Sequence, residues 1–430
     1  MVRTFDEEGA EWFLAAHSSG LLADLSSDGL VVGYAIRSTD PLTIESPLLP
    51  MVTFPYEWTP TMLKDAAAVT LEIAIRAWDA EFHLRDASAF NIVFHDGRPI
   101  MVDLGSFRPG HTPFFLAYGQ FCDHFLNPLA VAQTLGVSPR SLWSSLEGLG
   151  ADDAKRLMRK KALRPRYLRH IWARARLEAG SESLGESQRR DVRAQYGLPP
   201  DAIRKAMDSL RTVVASVDPA AGGVWGSYEQ VCSYEGTETD IKGDFVARAA
   251  SRASGRLALD IGANAGHYSQ ILSPHFETVV AIEPDEAAAD TLYRRLKDGA
   301  LSGNIVPMVI DIVDPPGGRG FGNRERQPAL ERIERADLVT WLAVIHHLVL
   351  GRNVPLELIF ELAERLSDHH VFEHVDPKDE MSKLLLSSKD EPPWALDRTS
   401  FESALERNFT VVDTVDVTPT RRLYEAVTPG

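Results

Sequence analysis

Short apolar runs alternate with amphipathic, helix-length segments from about residue 216 to the end of the chain. The runs are LALDIG, TVVAIEP, NIVPMVI, DLVTWLAV, HHVFEHV, FTVVDTVDV and RRLYEAV. Strand patterns that alternate with helical patterns are typical of a parallel sheet that is covered by helices on both faces. Residues 216–430 are therefore predicted to form a Rossmann-like α/β domain.

The first half of the chain has a different pattern. Residues 1–135 mix short apolar runs (LVVGYAI, NIVF, PIMVDL) with one clear helix over about 60–81, which indicates an α+β module. Thr59 and Pro60 suit the N-cap and the first turn of that helix. Residues 136–215 are charged and helical in pattern, and are predicted to form a helical linker or cap region. A chain of 430 residues exceeds one ordinary core, so two or three domains are expected.

Charge and cysteine content narrow the functional classes. The net charge of −16 repels phosphate backbones, so nucleic acid is an unfavourable partner, and the basic stretch 156–176 is interpreted as a solvated helical face. Cys122 and Cys232 lack the spacing of a disulfide framework or a metal site, which favours a reducing cytoplasm and predicts no metal. The acidic start of the chain is unlike a signal peptide, and no segment has the length of a membrane span.

The stretch LALDIGANAGHY predicts a ligand site. Asp260 ends an apolar run, and Gly262 and Gly266 follow, where glycine lets a backbone turn tightly and approach a ligand. Glu283 ends the next run, at the sheet edge where doubly wound folds bind ligands. The turn has one glycine fewer than the G-x-G-x-x-G fingerprint, and the acid before it disfavours a pyrophosphate. A nucleoside without phosphates, carrying a cationic amino-acid part, is the predicted ligand.

DIGANAGHYS followed by IEPD resembles the first two motifs of class I S-adenosylmethionine-dependent methyltransferases. The resemblance covers about residues 216–430 and implies a seven-stranded sheet closed by an antiparallel hairpin. It implies that residues 260–266 surround the methionine part of S-adenosylmethionine. Glu283 would then bind the ribose, and Asp311 and Ile312 would contact the adenine. The cofactor-binding residues it implies are Asp260, Gly262, Ala263, Asn264, Gly266, His267, Tyr268, Glu283, Pro284, Asp311, Ile312, Leu342 and Ala343.

Two histidines follow the fourth strand, where the resemblance places the acceptor. Transfer to an oxygen or nitrogen of a small-molecule acceptor benefits from a base of near-neutral pKa, which histidine supplies. His346 is the first candidate for this base and His347 the second. The alternative is that either histidine packs against or caps the following helix.

Four further residues are candidates for a lid or for substrate contact. Glu373 ends the fifth strand beside the same cleft and could orient an acceptor. Trp225, Tyr228 and Tyr234 precede the first strand of the domain, and an aromatic face next to a sulfonium is a favourable cation–π arrangement. Packing at a domain interface is the alternative role for these three rings.

Residues 83–107, HLRDASAFNIVFHDGRPIMVDLGSF, resemble the catalytic and metal-binding segment of protein kinase-like phosphotransferases. Asp86 and Asn91 keep the D-x-x-x-x-N spacing, and Asp103 stands where the first residue of the D-F-G triplet would. The resemblance implies that Asp86 takes the acceptor proton while Asn91 and Asp103 hold magnesium.

The departures from the kinase pattern predict an inactive module. His83 is one residue out of register, no glycine-rich phosphate loop precedes the segment, and Lys64 lies in a helical pattern. Scaffolding or partner docking is the expected role. A kinase-like module followed by a class I domain resembles the nodulation-protein-like methyltransferases of bacteria.

Two other functions stay open at this point. A related enzyme could attack the aminocarboxypropyl arm of S-adenosylmethionine, as the enzymes that form azetidine-2-carboxylate do, and release methylthioadenosine. A non-catalytic protein that senses a nucleotide is the second alternative. The identity of the acceptor and the oligomeric state also stay open.

Overall fold

Residues 1–112, 117–176, 198–218, 236–387 and 396–429 are described by the computed structural model. The chain divides into two units, Met1–Trp225 and Gly226–Gly430. The sequence-based boundary lies at residue 216, and the helical region 136–215 belongs to the first unit. None of the helices in the described ranges has the length and the apolar character needed to cross a membrane.

Small antiparallel sheets and helices make up the described part of the first unit. The strands are β1 Val2–Thr4, β2 Ala35–Thr39, β3 Leu42–Glu45, β4 Phe82–Leu84, β5 Ile92–His95, β6 Arg98–Met101 and β7 Phe107–Pro109. They pair in the order β1–β3–β2, β4 with β7, and β5 with β6. The α-helices are Glu7–Ser18, Leu21–Ser27, Pro60–Asp79, Tyr118–Phe121, Asn127–Leu135, Ala151–Met158, Pro165–Tyr167 and Pro200–Ala215. Shorter 3₁₀ or π segments are Pro55–Glu57, Ala89–Asn91, Cys122–Leu126, Pro139–Leu142, Arg159–Leu163 and Leu168–Ala173.

Most residues of the helix Pro60–Asp79 are buried, and its predicted start is confirmed. The Thr59 hydroxyl accepts a hydrogen bond from the Met62 N–H at 3.2 Å, which satisfies one of the free donors of the first turn. Farther along the helix, Trp78 is buried in a cluster with Met207 of the helix Pro200–Ala215. Lys64 in the first turns of the helix donates to the carbonyl oxygens of residues 215 and 217.

The described part of the second unit contains a seven-stranded sheet in the order β10–β9–β8–β11–β12–β14–β13. Its strands are β8 Gly255–Ile261, β9 Phe276–Ile282, β10 Ile305–Met308, β11 Leu338–Trp341, β12 His369–Val375, β13 Thr410–Thr418 and β14 Arg421–Val427. Strands β8 to β12 are parallel, and β14 runs antiparallel to both of its neighbours. This mixed sheet with its closing hairpin fits the class I methyltransferase domain expected from the sequence.

Helices connect the strands of this sheet. They are Thr237–Ala253, His267–Leu272, Glu286–Lys297, Ala329–Arg332, Leu356–Leu366, Glu380–Leu386 and Arg398–Asn408, with 3₁₀ or π segments at Ser273–His275, Phe321–Asn323 and His347–Gly351. Strands β8, β9, β11 and β12 are almost wholly buried, as expected for central parallel strands.

Strand order reverses at β8, which pairs with β9 on one side and with β11 on the other. In the register of these pairs, Asp260 lies opposite both Ala281 and Thr340. The carboxyl ends of the three strands therefore reach the same edge of the sheet. A reversal of strand order opens a crevice at that edge, which is where open α/β sheets bind ligands.

Candidate functional site

The glycine turn after β8 has a conformation that few other residues could adopt. Gly262 and Gly266 have φ of +76° and +83°, and Asn264 between them has φ of +50°. The N–H groups of Gly262 and Ala263 both donate to the Ile282 carbonyl, at 2.8 and 3.1 Å. A Cβ added at Gly262 would lie 2.4 Å from the Val344 Cγ2. Backbone conformation and close packing thus both require glycine at position 262.

Glu283 faces this turn from the end of β9. It is buried, with Oε2 accepting from the Asn264 N–H and Oε1 from the Asp285 N–H, each at 2.8 Å. Burial raises the pKa of Glu283 to about 7, although the two backbone hydrogen bonds act in the opposite direction. Each carboxylate oxygen can accept a second hydrogen bond, so the group keeps the capacity to bind a ligand with two hydroxyls.

Asp260 lies beneath the turn and is only 1% exposed. Its Oδ2 accepts from the Ser269 hydroxyl at 2.6 Å and its Oδ1 from the Thr340 hydroxyl at 2.9 Å. Burial raises the pKa of this carboxyl group. Asp260 therefore connects β8 to β11 and to the helix His267–Leu272. Sequence reasoning missed Thr340, because only the register of the sheet places it opposite Asp260.

Asp311 lies beyond the end of β10, where the adenine was expected. Its Oδ2 accepts from Arg352 Nη2 at 2.9 Å, and its Oδ1 from the Val313 N–H at 3.0 Å. Ile312 beside it is partly buried. Arg352, which the sequence analysis did not select, holds this carboxylate from the segment that follows β11.

The other predicted contacts around the glycine turn lie at its rim. His267 and Tyr268 begin the helix after the turn, with their rings edge to face at 4.9 Å. Pro284 is exposed next to Glu283. The predicted lid or substrate residues Trp225, Tyr228 and Tyr234 lie outside the described residues.

The chain leaves β11 through a turn with an unusual backbone. Leu342 is buried, and Ala343 has φ of +52°, a left-handed conformation that is costly for a residue with a Cβ. The Ala343 N–H donates to Glu373 Oε2 at 2.9 Å. The turn then passes Val344 and reaches His346.

His346 is buried, with 2% of its surface exposed, and its Nδ1 has no hydrogen-bond partner within the described ranges. Burial, together with smaller contributions from the neighbouring His347 and Arg421, lowers the pKa of His346 to about 3. The imidazole is therefore unprotonated at neutral pH. The ring of His347 lies 4.3 Å from that of His346, and His347 is exposed.

Glu373 is fully buried at the end of β12 and forms ion pairs with basic residues. Lys242 Nζ donates to its Oε1 at 2.6 Å, and Arg421 Nη1 lies 3.8 Å from the same oxygen. Arg421 also donates two hydrogen bonds of 3.0 Å to Asp379. Sequence reasoning selected Glu373 but missed its two partners Lys242 and Arg421, which belong to distant parts of the chain.

The structure brings the predicted residues of the second unit into two groups at one sheet edge. The first consists of the glycine turn and Glu283, and the second of the turn after β11, with His346 and Glu373. Contact between Val344 and Gly262 joins the two groups. The Asp260 carboxylate lies below this edge, and the hydroxyls of Ser269 and Thr340 donate to its two oxygens.

The kinase-like segment forms a separate arrangement in the first unit. Asp86 Oδ1 accepts from the Ser88 N–H at 2.7 Å, and Asp103 Oδ1 accepts from Arg3 Nη1 at 2.8 Å. The hairpin β5–β6 connects Asn91 to Asp103 and brings its two ends together, since the Val102 N–H donates to the Asn91 carbonyl at 2.9 Å. The Asn91 Nδ2 is buried without a partner in the described part of the chain. Within that part, no three His, Cys, Asp or Glu side chains are grouped so that they could hold a metal ion.

Comparison with known proteins gives a close match along nearly the whole chain. Nodulation protein NoeA of Rhizobium meliloti (strain 1021) is 30% identical over 427 residues, which cover 96% of this chain and 89% of NoeA. The chain belongs to the NoeA family. No protein-family model matches it.

Two solved structures are similar to this NoeA-family protein at low identity. The N-methyltransferase NodS of Bradyrhizobium japonicum WM9 is 16% identical with a TM-score of 0.34, covering 46% of this chain and all of NodS. Magnesium protoporphyrin IX methyltransferase (ChlM) of Synechocystis PCC 6803 is 18% identical with a TM-score of 0.32, covering 45% of this chain and 84% of the ChlM chain. Similarity at this level gives no information on activity.

Gly262→Ala should destabilise the second unit more than a substitution at another left-handed glycine. The new Cβ meets Val344 Cγ2 at 2.4 Å in addition to the unfavourable φ, so a loss of roughly 2–5 kcal/mol is expected in the free energy of unfolding. Gly299→Ala is the matched control, because Gly299 has φ of +73° and nothing within 4 Å of an added Cβ. Urea titration measures both, and equal losses would contradict the packing role of Gly262.

Proposed function

We propose that the second unit is an S-adenosylmethionine-dependent methyltransferase that acts on an oxygen or nitrogen of a small molecule. The observation that carries this proposal is the buried Glu283 carboxylate, fixed by two backbone N–H groups beside the left-handed glycine turn. A carboxylate placed at the end of the second strand suits the two hydroxyls of a ribose. The sheet order and the neighbouring His346 agree with the same function.

The electrostatics of this edge support a cationic nucleoside over a phosphate-bearing one. Asp260 beneath the turn and Asp285 beside it both raise the pKa of Glu283 through their charges. A pyrophosphate would add negative charge to this acidic edge at a further cost. S-adenosylmethionine carries no phosphate and has a positive sulfonium. The residues at the edge therefore fit this cofactor.

The chemistry divides between the cofactor and the chain. Bound S-adenosylmethionine supplies an electrophilic methyl group, so the protein has mainly to place an acceptor in line with it. Glu283 orients the ribose, and His346 takes the proton from the acceptor. His346 is unprotonated at neutral pH, but its pKa of about 3 lies well below the near-neutral value expected from the sequence, because the ring is buried. Proton transfer to it therefore requires stabilisation of the imidazolium in the closed site. The negative charge of Asp379 acts to raise the pKa of His346, and it would stabilise the imidazolium once formed.

We also propose that the kinase-like segment of the first unit has a structural role. Asp103, one of the two residues that the kinase resemblance assigns to magnesium, is paired with Arg3 at 2.8 Å. Lys64 lies in the helix Pro60–Asp79, and its ammonium group donates to the carbonyls of residues 215 and 217. The ammonium group is therefore bound within the protein. These contacts favour a scaffold over a phosphotransferase.

S-adenosylmethionine should bind with release of a proton below pH 7. Ribose hydroxyls donate to the ionised Glu283, whose pKa in the free protein is about 7, so affinity should fall about tenfold per pH unit below that value and level off above it. Calorimetry in buffers of different ionisation enthalpy measures the proton release. Glu283→Gln should weaken binding roughly 10- to 100-fold and remove the proton release. A wild-type protein that does not bind S-adenosylmethionine would refute the proposal.

His346→Gln should slow methyl transfer by about 10²- to 10⁴-fold, the usual contribution of a general base, and leave the affinity for S-adenosylmethionine within about twofold. Formation of S-adenosylhomocysteine is followed with a small-molecule cell extract as the source of acceptor. His347→Gln is the matched control and should stay near wild-type rate. Equal losses of rate and cofactor affinity would indicate a packing role for His346. Release of methylthioadenosine without any acceptor would indicate attack on the aminocarboxypropyl arm instead.

The first unit should show no magnesium-dependent ATP hydrolysis above background, because Asp103 is already paired with Arg3. Phosphate release is measured for the full chain and for Asp86→Ala, which should give the same rate. Hydrolysis that disappears in Asp86→Ala would show that the segment is an active phosphotransferase.

A further inference from the structure

We infer that Glu373, with Lys242 as its counter-ion, is a positioning residue that fixes the turn 342–346 between the cofactor and the acceptor. This inference rests on the proposed function and adds two residues to it. The sequence analysis selected Glu373 as a residue that could orient an acceptor. Its bonds to the protein assign it a role that acts through the backbone of the turn and through His346.

One carboxylate joins three elements of the second unit. From β12, the Glu373 Oε1 accepts from Lys242 of the helix Thr237–Ala253, and its Oε2 accepts from the Ala343 N–H in the turn after β11. Arg421 of β14 lies 3.8 Å away on the Oε1 side. Both carboxylate oxygens are therefore bound, and Glu373 has no exposed surface from which to reach solvent. A buried carboxylate is retained only where such partners compensate its desolvation.

The bond to Ala343 holds a strained part of the backbone. Ala343 has φ of +52°, a conformation that an alanine adopts only when its surroundings enforce it. Its N–H bond to Glu373 provides that constraint. The chain direction beyond Ala343 is set at this residue, so the bond controls where the following side chains lie.

Two of those side chains connect the cofactor turn to the acceptor side. Val344 packs so closely on Gly262 that there is no room for a Cβ at that glycine. His346 follows two residues later, buried with its Nδ1 unpartnered within the described ranges. A turn that relaxed at Ala343 would shift both contacts together.

The surroundings of His346 provide a way to observe such a shift. The charged and titratable groups that act on it are His347, Arg421, Asp379 and Lys242, and burial is the main reason that it stays unprotonated. If the turn relaxes, water reaches the imidazole and it titrates closer to the ordinary histidine range. A change in the stability of the sheet alone would not move this titration.

The test uses the double variant Lys242→Met, Glu373→Leu. Replacing both members of a buried ion pair by apolar residues is commonly tolerated, so the protein should fold, while the Ala343 N–H loses its acceptor. NMR of ¹³C-labelled histidine, with the His346 signal assigned by its loss in His346→Gln, measures the titration in the full chain. We expect the His346 midpoint to rise by more than one pH unit in the double variant. Lys242→Met, Glu373→Gln removes the same two charges, including the Lys242 charge that lowers the pKa of His346, but keeps an acceptor for the Ala343 N–H, and it should return the midpoint towards the wild-type value. An equal rise in both double variants would assign the shift to the lost charges and overturn the inference.

Glu425→Gln is the matched control. Glu425 is also fully buried and bound to two basic groups, Arg252 and His369, but it lies level with Val371, nearer the amino end of β12. Its loss should leave the His346 titration unchanged. An unchanged titration in the double variant, or an equal shift in Glu425→Gln, would overturn the inference. A wild-type protein that fails to bind S-adenosylmethionine would refute the proposed function, and the titration would still decide the role of Glu373.

Discussion

Burial of carboxyl groups at the carboxyl edge of one parallel sheet is the constraint on which the site of the second unit depends. Asp260, Glu283 and Glu373 lie at the ends of β8, β9 and β12, and each is almost wholly buried in the described structure. A buried carboxyl group is costly unless donors compensate it. The donors come from the turns and helices around these strands and from the neighbouring strand β11.

The three groups are compensated in different ways. Hydroxyls bind Asp260, backbone N–H groups bind Glu283, and an ammonium together with one N–H binds Glu373. Neutral donors leave the pKa of Glu283 high, near 7, so that this group can respond to a ligand. The charged donor at Glu373 creates a fixed ion pair, which suits a structural role beside the proposed base.

In the first unit, hydrogen bonds also bind polar groups of the kinase-like segment. In the segment 83–107, two side chains of the following helical region bind the loop around Asp86. Gln120 accepts a hydrogen bond from the Ala87 N–H, and His124 accepts one from the Ala89 N–H. Burial lowers the pKa of His124 to about 4, so this histidine stays a neutral acceptor. With Arg3 on Asp103, several polar groups of the segment are bound by residues from other parts of the first unit.

The sequence by itself determined the order of strands and helices in the second unit, the glycine turn and the acid that follows the next strand. These features are local, because alternating apolar runs specify strands and the glycines of a turn can be recognised without knowing what packs against them. The tertiary structure alone decided which side chains meet. Lys242 and Glu373 are 131 residues apart, Arg3 and Asp103 are 100, and Thr340 and Asp260 are 80. The partner of a buried charge depends on strand register and helix packing, and no short stretch of sequence encodes either.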